Sequence, residues 1–281
     1  MKLVRFGPRG AERPGLVAAD GRVKDASAHA ADYDHAFFAT GGLDRLRGVA
    51  ADALPDAPPA VRLGAPVARP RNVFAIGLNY TEHARETGAA IPAEPVVFMK
   101  ATSAVCGPAD PILIPRGSRK TDWEVELAIV IGRDARYLSS VAEARGVVAG
   151  WCLANDVSER EFQIERGGQW SKGKSSENFL PLGPWLVTTD ELPDPAGLAL
   201  TLDVNGVRKQ TGSTAGMIFD VWEIVRYLSQ FVRLEAGDVV VTGTPPGVGM
   251  ARRPPEFLRA GDLVEPAIER LGRQRCVCER A

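Results

Sequence analysis

The chain has 281 residues, of which 45% are hydrophobic and 25% charged, and its formal net charge is −1. A chain of this length can bury a large core without covalent cross-links. The near-neutral charge gives no electrostatic basis for binding nucleic acid or an anionic membrane, so we expect neither partner. The function must therefore come from local groups of residues.

Neither a membrane span nor a secretion signal is visible in the sequence. No apolar run approaches the roughly 18 residues that a span needs, and the opening MKLVRFGPRGAERPG lacks the apolar stretch of a signal peptide. The chain has four cysteines, with no C-x-x-C pair and no zinc-like spacing: Cys106, Cys152, Cys276 and Cys278. We expect a cytoplasmic protein with reduced, structural thiols.

The first 67 residues predict a small N-terminal module. Short apolar runs at residues 3–6 and 15–18 alternate with turn residues, and a helix is expected in the 30s and 40s. Residues 54–71 contain several prolines, which disfavour helix interiors and central strands. We place a domain boundary near residue 70 and a second, larger domain over residues 70–281.

The second domain is predicted to be rich in strands. Apolar runs that favour strands occupy residues 73–77, 96–99, 123–131, 147–153, 198–204, 239–242 and 263–268. The clearest helix lies within residues 217–232, where apolar side chains recur at helical spacing. Asn205-Gly206 is typical of a two-residue hairpin. With few helices between the strands, the pattern indicates a mixed, β-rich α+β fold.

Acidic residues alternate in the segment that begins the third of these runs. Asp122, Glu124 and Glu126 would project from one face of a strand, which is costly unless their charge is neutralised. A solvated strand face is the alternative, but the apolar AIVIG that follows favours a strand running into the core. Asp156 follows another apolar run and alone would be an ordinary turn residue. Glu124, Glu126 and Asp156 together form a set of hard oxygen ligands suited to Mg²⁺, Mn²⁺ or Ca²⁺.

A histidine and a glutamate lie three residues apart in NYTEHARE. If this segment is helical, His83 and Glu86 share one face, and the carboxylate can orient the imidazole as a general base. The alternative is a surface helix with incidental polar residues. The polar segment 82–95 ends in prolines, and we predict that it is a mobile lid.

Residues 168–175, GQWSKGKS, match the letters of a phosphate-binding P-loop. Such a loop needs a buried strand before it and a helix after it, whereas polar residues precede this segment and Pro181 and Pro184 follow it. Nucleotide binding is therefore disfavoured. Lys174 is better interpreted as a cation for an anionic ligand or a developing negative charge.

The glycine-rich segment TGTPPGVG follows the run at residues 239–242. It is either a plain tight turn or a place where backbone N–H and threonine hydroxyl groups approach a substrate carboxylate.

Taken in order, NYTEHARETG, DWEVELAIVIG, NDVSEREFQ, GKSSENFLPLGPWLV and TGTPPGVG resemble the fumarylacetoacetate hydrolase family from residue 71 onward. The resemblance implies a β-roll of mixed sheets with a small N-terminal module, a homodimer, and Mg²⁺ or Mn²⁺ as cofactor. It assigns these roles: metal ligands Glu124, Glu126 and Asp156; catalytic residues His83, Glu86 and Lys174; substrate-binding residues Thr244, Gly243 and Gln163. The chain departs from the family at Glu161, Glu177 and Asn178.

Within the family, ERGGQWSKGK and the tail from residue 247 look most like hydrolases of 2,4-diketo-3-deoxy sugar acids and relatives labelled ureidoglycolate lyase. The expected reaction is metal-dependent cleavage of a C–C bond in a small 2,4-dioxo acid of the sugar-acid or acylpyruvate type. Decarboxylation of oxaloacetate-like acids, isomerisation of oxo acids and ureidoglycolate cleavage remain alternatives, because one metal site supports all of them. The presence of His83, Glu86 and Lys174 disfavours a non-catalytic metal-binding homologue.

Overall fold

A computed structural model describes all residues, 1–281. The strands are β1 (Lys2–Phe6), β2 (Arg13–Val17), β3 (Val23–Asp25), β4 (Leu63–Gly64), β5 (Val73–Gly77), β6 (Val96–Lys100), β7 (Val105–Cys106), β8 (Ile112–Ile114), β9 (Thr121–Asp122), β10 (Val125–Ile131), β11 (Val148–Asn155), β12 (Ser158–Glu159), β13 (Leu180–Pro181), β14 (Leu186–Thr188), β15 (Ala199–Val204), β16 (Val207–Ser213), β17 (Val239–Val241), β18 (Leu263–Ile268), β19 (Gly272–Arg273) and β20 (Cys276–Arg280). The α-helices are α1 (His35–Ala39), α2 (Gly42–Arg47), α3 (Thr81–Thr87), α4 (Val141–Arg145), α5 (Trp170–Lys174) and α6 (Val221–Leu228).

The larger of the two main sheets runs in the order β3-β2-β1-β14-β11-β10-β17-β5-β6, and β4 pairs with β1. All of its pairs are antiparallel except β17 with β5. Every residue of β10 and β11 is buried. Such continuous burial means that both faces of the sheet are covered here, which explains why these strands are apolar almost throughout.

The smaller main sheet has the order β16-β15-β18-β20-β8, with β19 beside β18. Its strands β15 and β18 contact β10 and β11 of the larger sheet. The hairpin between β15 and β16 turns at Asn205 (φ 51°) and Gly206 (φ 75°), so the predicted two-residue turn with positive φ angles is confirmed. The mixed, β-rich fold predicted from the strand pattern is the one observed.

The helix predicted within residues 217–232 is shorter than expected. It begins after Asp220, whose side chain accepts hydrogen bonds from the amides of Trp222 and Glu223. The Ile218 amide instead donates to the carbonyl of Asn79, so the segment before Asp220 is bonded to the loop between β5 and α3 and does not continue the helix. None of the helices is long and apolar enough to cross a bilayer.

The N-terminal module joins the larger sheet through β1, which pairs with β14. The helix expected in the 30s and 40s is two short helices, α1 and α2, separated by Thr40 and by Gly41 at φ 76°. Buried residues of both segments belong to one hydrophobic core. The division into residues 1–67 and 70–281 stays a prediction. Strands from both of these parts pair within the larger sheet.

Candidate active site

The pairing of β10 with β11 brings three carboxylates together. Glu124 directly precedes β10, Glu126 lies within it, and Asp156 directly follows β11. Val125 faces Asn155 across the pair, and the Asp156 amide donates to the Glu124 carbonyl at 2.9 Å. The three side chains are buried, and one oxygen from each lies within 4.8 Å of the others.

Two buried lysines contact this cluster. Lys174, at the end of α5, places Nζ 2.7 Å from Glu124 Oε2 and 2.6 Å from Asp156 Oδ2. Lys100, at the end of β6, places Nζ 2.5 Å from Asp156 Oδ1. Burial alone would lower the pKa of Lys174, but Asp156 and Glu124 outweigh burial and raise it, so its ammonium charge is retained.

A buried arginine holds the remaining side of Glu124. Arg160 Nη2 lies 2.7 Å from Glu124 Oε1, and Arg160 Nε lies 2.8 Å from Asp122 Oδ2. Asp122 also accepts from the amides of Gly249 and Met250, so its carboxylate is used inside the protein. Burial alone would raise the pKa of Glu124, but Lys174 and Arg160 hold it well below its usual value.

Glu126 is the member of the cluster without a cationic partner. Its carboxylate accepts one hydrogen bond, from the Gly243 amide to Oε2 at 2.8 Å. Burial raises the pKa of Glu126 well above its usual value, and the negative charges of Asp156 and Glu124 raise it further. A cation bound among the three carboxylates would remove this penalty.

The donor set fits a hard divalent cation. Mg²⁺ prefers oxygen ligands at 2.0–2.1 Å, which puts opposite ligands of an octahedron about 4.2 Å apart. The spread of up to 4.8 Å among the oxygens of Glu124, Glu126 and Asp156 is close to this. Zinc and copper sites usually include histidine nitrogen or cysteine sulfur beside any carboxylate, and the set contains neither.

The histidine and glutamate of NYTEHARE lie on α3 as a hydrogen-bonded pair. His83 Nδ1 is 2.8 Å from Glu86 Oε1, which leaves Nε2 as the ring nitrogen without a protein partner. Glu86 accepts from the Gly247 amide through both oxygens, at 3.1 and 2.9 Å. The loop after β17 therefore fixes the carboxylate that orients the imidazole.

These groups share one cavity of about 260 Å³. Of the residues selected from the sequence, eight line it: His83, Glu124, Glu126, Asp156, Gln163, Lys174, Gly243 and Thr244. Glu86 lies behind His83. Surface grooves of about 610 and 500 Å³ exist elsewhere, but they lack this cluster, so chemistry rather than size identifies the site.

The residues expected to bind substrate are partly engaged by the protein itself. The Thr244 hydroxyl donates to the Val125 carbonyl at 2.9 Å and accepts from Gln210 at 2.8 Å. The Thr244 amide makes no hydrogen bond within the protein and is the group left for a ligand. Gln163 Oε1 accepts from Arg160 at 3.0 Å, so only its amide nitrogen is free.

The P-loop match at residues 168–175 does not have P-loop structure. A turn of π-helix (Glu161–Glu165) rather than a strand precedes the segment, and the strand β13 rather than a helix is the next element after it. Lys174 contacts carboxylates. The three family departures, Glu161, Glu177 and Asn178, lie outside the cavity lining.

Sequence reasoning missed Lys100 and Arg160 and two aromatic residues that line the cavity, Phe98 and Trp170. Lys100 ends the strand VVFMK, and because a lysine at a strand end is ordinary, the sequence offers no signal for its burial. Nothing in the sequence around Arg160 distinguishes it from its charged neighbours Glu159 and Glu161.

Comparison with known proteins identifies the family. The family model described as fumarylacetoacetate (FAA) hydrolase C-terminal matches residues 72–278, and the chain belongs to the fumarylacetoacetate hydrolase family. A relative from Burkholderia multivorans, whose name goes no further than hydrolase, is 53% identical over 275 residues, 98% of this chain and 97% of its own.

Solved structures that resemble this chain along its whole length include the following two. One is from Mycobacterium abscessus and is named a probable 2-hydroxyhepta-2,4-diene-1,7-dioate isomerase; it is 33% identical, with a TM-score of 0.85 over 99% of its own chain. The other is maleylpyruvate hydrolase from Sphingobium sp. SYK-6 in complex with manganese(II) and pyruvate; it is 27% identical, with a TM-score of 0.82 over 100% of its own chain.

Proposed function

We propose that this protein is a divalent-metal-dependent hydrolase that cleaves a C–C bond of a small 2,4-dioxo acid, of the diketo-deoxy sugar acid or acylpyruvate type. The observation that carries the proposal is that the His83–Glu86 pair, Lys174 and the three-carboxylate cluster meet in one cavity. Mg²⁺ or Mn²⁺ would be held by the carboxylates of Glu124, Glu126 and Asp156. When bound, it would supply Lewis-acid stabilisation of negative charge on the oxo acid.

The residues of the chain supply the proton transfers. His83, oriented through Nδ1 by Glu86, removes a proton from water at Nε2, and the water oxygen bonds to C4 of the substrate while the electrons of the C4 carbonyl double bond move to its oxygen. When this carbonyl re-forms, the C3–C4 bond breaks, C4 leaves as the second carboxylic acid, and the electron pair of the broken bond stays on C3 as the enolate of pyruvate. His83 then returns its proton to C3, which gives pyruvate. Lys174 adds positive charge beside the developing oxyanion, an interaction that strengthens in the transition state.

Isomerisation is the second candidate, because a structural neighbour is named an isomerase. In that case the same base would move a proton from one carbon to another, with no attack by water. Decarboxylation of an oxaloacetate-like acid would likewise need no water.

The test is a screen of oxo acids with Mg²⁺ or Mn²⁺ that follows pyruvate, the second acid product and CO₂ separately. Hydrolysis releases pyruvate and the second acid in equal amounts without CO₂. Isomerisation changes the ultraviolet spectrum without releasing pyruvate, and decarboxylation releases CO₂. Either of the last two outcomes, without equimolar acid release, contradicts the hydrolase.

The metal ligands are tested by Asp156→Ala, with the exposed Asp190→Ala as control. Loss of one carboxylate should weaken Mn²⁺ binding and turnover together, because one anionic oxygen ligand of the cation is removed. Asp190 contacts the amino terminus rather than the cavity, so its variant should bind Mn²⁺ like the parent. Parental Mn²⁺ binding and activity in Asp156→Ala would show that the ligand assignment is wrong.

A further inference from the structure

Much of the cavity lining beyond the charged cluster is apolar. It is formed by Ile76, Leu78, Phe98, Ile164, Trp170 and Met250. We propose that the cavity selects 2,4-dioxo acids whose C4 substituent is uncharged and apolar or aromatic, over those with a second carboxylate or a polyhydroxyl chain. This inference rests on the proposed function and names its substrate class.

The apolar lining includes an aromatic wall that adjoins the charged cluster. The Phe98 and Trp170 rings meet edge to face, with centroids 5.4 Å apart and planes at 70°. Lys174 Nζ lies 5.5 Å from the Phe98 ring centroid. A Cβ on Gly77 would come within 2.3 Å of the Trp170 ring, so this wall requires glycine at that position. A substituent that extends from the charged end would therefore meet aromatic faces and edges.

Every cationic side chain in the lining already has an acidic partner. Lys174 is paired with Glu124 and Asp156, and Arg160 with Glu124 and Asp122. The remaining basic group, the His83 imidazole, is paired with Glu86. A second carboxylate on the substrate would lose its hydrating water when it enters the cavity and would find no unpaired cation there. Burial of such an unpaired charge is strongly unfavourable.

A polyhydroxyl chain would meet few free polar groups. The Thr87 hydroxyl lines the cavity but donates to the backbone carbonyls of His83 and Ala84. Gln163 offers only its amide nitrogen, and Thr244 only its backbone amide. Several hydroxyls of a sugar-acid tail would lose water without replacement, which favours the acylpyruvate type over the sugar-acid resemblance.

The test compares three 4-substituted 2,4-dioxobutanoates that share the reacting end and carry a phenyl, a 2-carboxyvinyl or a polyhydroxyalkyl group on C4. With Mn²⁺, kcat/KM should be roughly 10-fold or more higher for the phenyl compound than for either other acid. A higher value for the carboxyvinyl or polyhydroxyalkyl acid overturns the selectivity and leaves the hydrolase standing. If none of the three releases pyruvate, both the selectivity and the proposed hydrolase are wrong.

Ile164 provides an independent test because it lines the cavity and is 48% exposed, so substitution there leaves the core intact. Ile164→Lys adds a cation at the rim and should shift the carboxyvinyl-to-phenyl ratio of kcat/KM about 5-fold toward the carboxyvinyl acid, the size of a partly exposed ion pair. The neutral Ile164→Leu should keep the ratio within about twofold. If a folded Ile164→Lys variant kept the parental carboxyvinyl-to-phenyl ratio of kcat/KM, the C4 substituent would not lie against the apolar lining.

Discussion

Lys174 places its ammonium between two carboxylates that a divalent cation would also contact. Its Nζ donates to Glu124 Oε2 and Asp156 Oδ2. The other oxygens of these carboxylates contact Arg160 and Lys100, respectively. We expect Lys174→Met to lower turnover by about 10²-fold or more, because positive charge at the developing oxyanion is lost. Mn²⁺ affinity should be unchanged or higher, because a competing cation is gone. Calorimetric titration and steady-state kinetics measure the two effects.

Lys172, in the same short helix, is the matched control. It is exposed and bonds the Arg166 carbonyl, so Lys172→Met should change neither turnover nor Mn²⁺ affinity. ATP should bind to none of these proteins. Weaker Mn²⁺ binding in Lys174→Met would show that the lysine supports the ligand set, and saturable ATP binding lost in this variant would restore the P-loop interpretation.

At single positions, the acidic residues of the cluster could be selected from the sequence, whereas the basic residues Lys100 and Arg160 that pair with them could not. Glu124 and Glu126 were visible because they interrupt an apolar strand at alternate positions, and Asp156 because it ends another. Lys100 contacts a partner 56 residues away, and the contact exists only because two non-adjacent parts of the fold meet. Spacing along the chain carries no information on such a pair.

The helix α3 is the element on which the base assignment depends. It is short, ends at Gly88 with φ 72°, and is tied to the loop after β17 through Glu86 and Gly247. If segment 82–95 is a lid, adding Mn²⁺ with oxalate or pyruvate should increase the hydrogen-exchange protection of its backbone amides. His83→Ala should lose roughly 10²–10⁴-fold in turnover while Mn²⁺ affinity is retained.

The strand β2 is the internal control for exchange, because it pairs with β1 and β3 and makes no hydrogen bond to segment 82–95. Its protection should be the same with and without ligand. Unchanged exchange in segment 82–95 would show that it is not a lid. Near-parental turnover in His83→Ala would mean that another group, or no base, serves the reaction.

Elements whose ends are set locally were predicted well. The Asn205-Gly206 turn needs only two residues that tolerate positive φ, and it was found where expected. The predicted start of α6 was about one turn too early. Ile218 fits the helical spacing of the apolar residues that follow it, although it lies before the capping residue Asp220. The cap was present in the sequence, but hydrophobic periodicity outweighed it in the interpretation.

At the scale of the molecule, the strands could be predicted but not their order in the sheets. Strand β1 pairs with β14, so that Leu3 faces Leu186, and no local pattern indicates this partner. The parallel pair of β5 and β17 is equally remote. The proline-rich composition of residues 54–71 predicts a connector, and we placed a domain boundary there for that reason. Composition does not indicate which strands pair, and β1 on one side of this connector pairs with β14 on the other.

The continuous sheet predicts that the two parts of the chain unfold together. Leu3 is fully buried in the N-terminal module, and all five tryptophans lie beyond it, in residues 123–222. Leu3→Ala should cost about 2–5 kcal/mol of unfolding free energy. Because Leu3 belongs to the same core as Trp151, tryptophan fluorescence and far-ultraviolet circular dichroism should shift to the same lower denaturant midpoint.

The exposed Val207→Ala serves as the control and should change stability by no more than about 0.5 kcal/mol. If residues 1–67 were an independent domain, the main tryptophan transition of Leu3→Ala would stay at its parental midpoint, with a minor change from Trp185, whose ring centroid lies 5.2 Å from Lys2 Nζ. The circular dichroism signal would then split into two steps. Coincident transitions would instead mean that β1 stabilises the sheet that carries the three-carboxylate cluster, through β14 and β11. Damage to the N-terminal module would then also reduce the population of folded protein with this cluster in place.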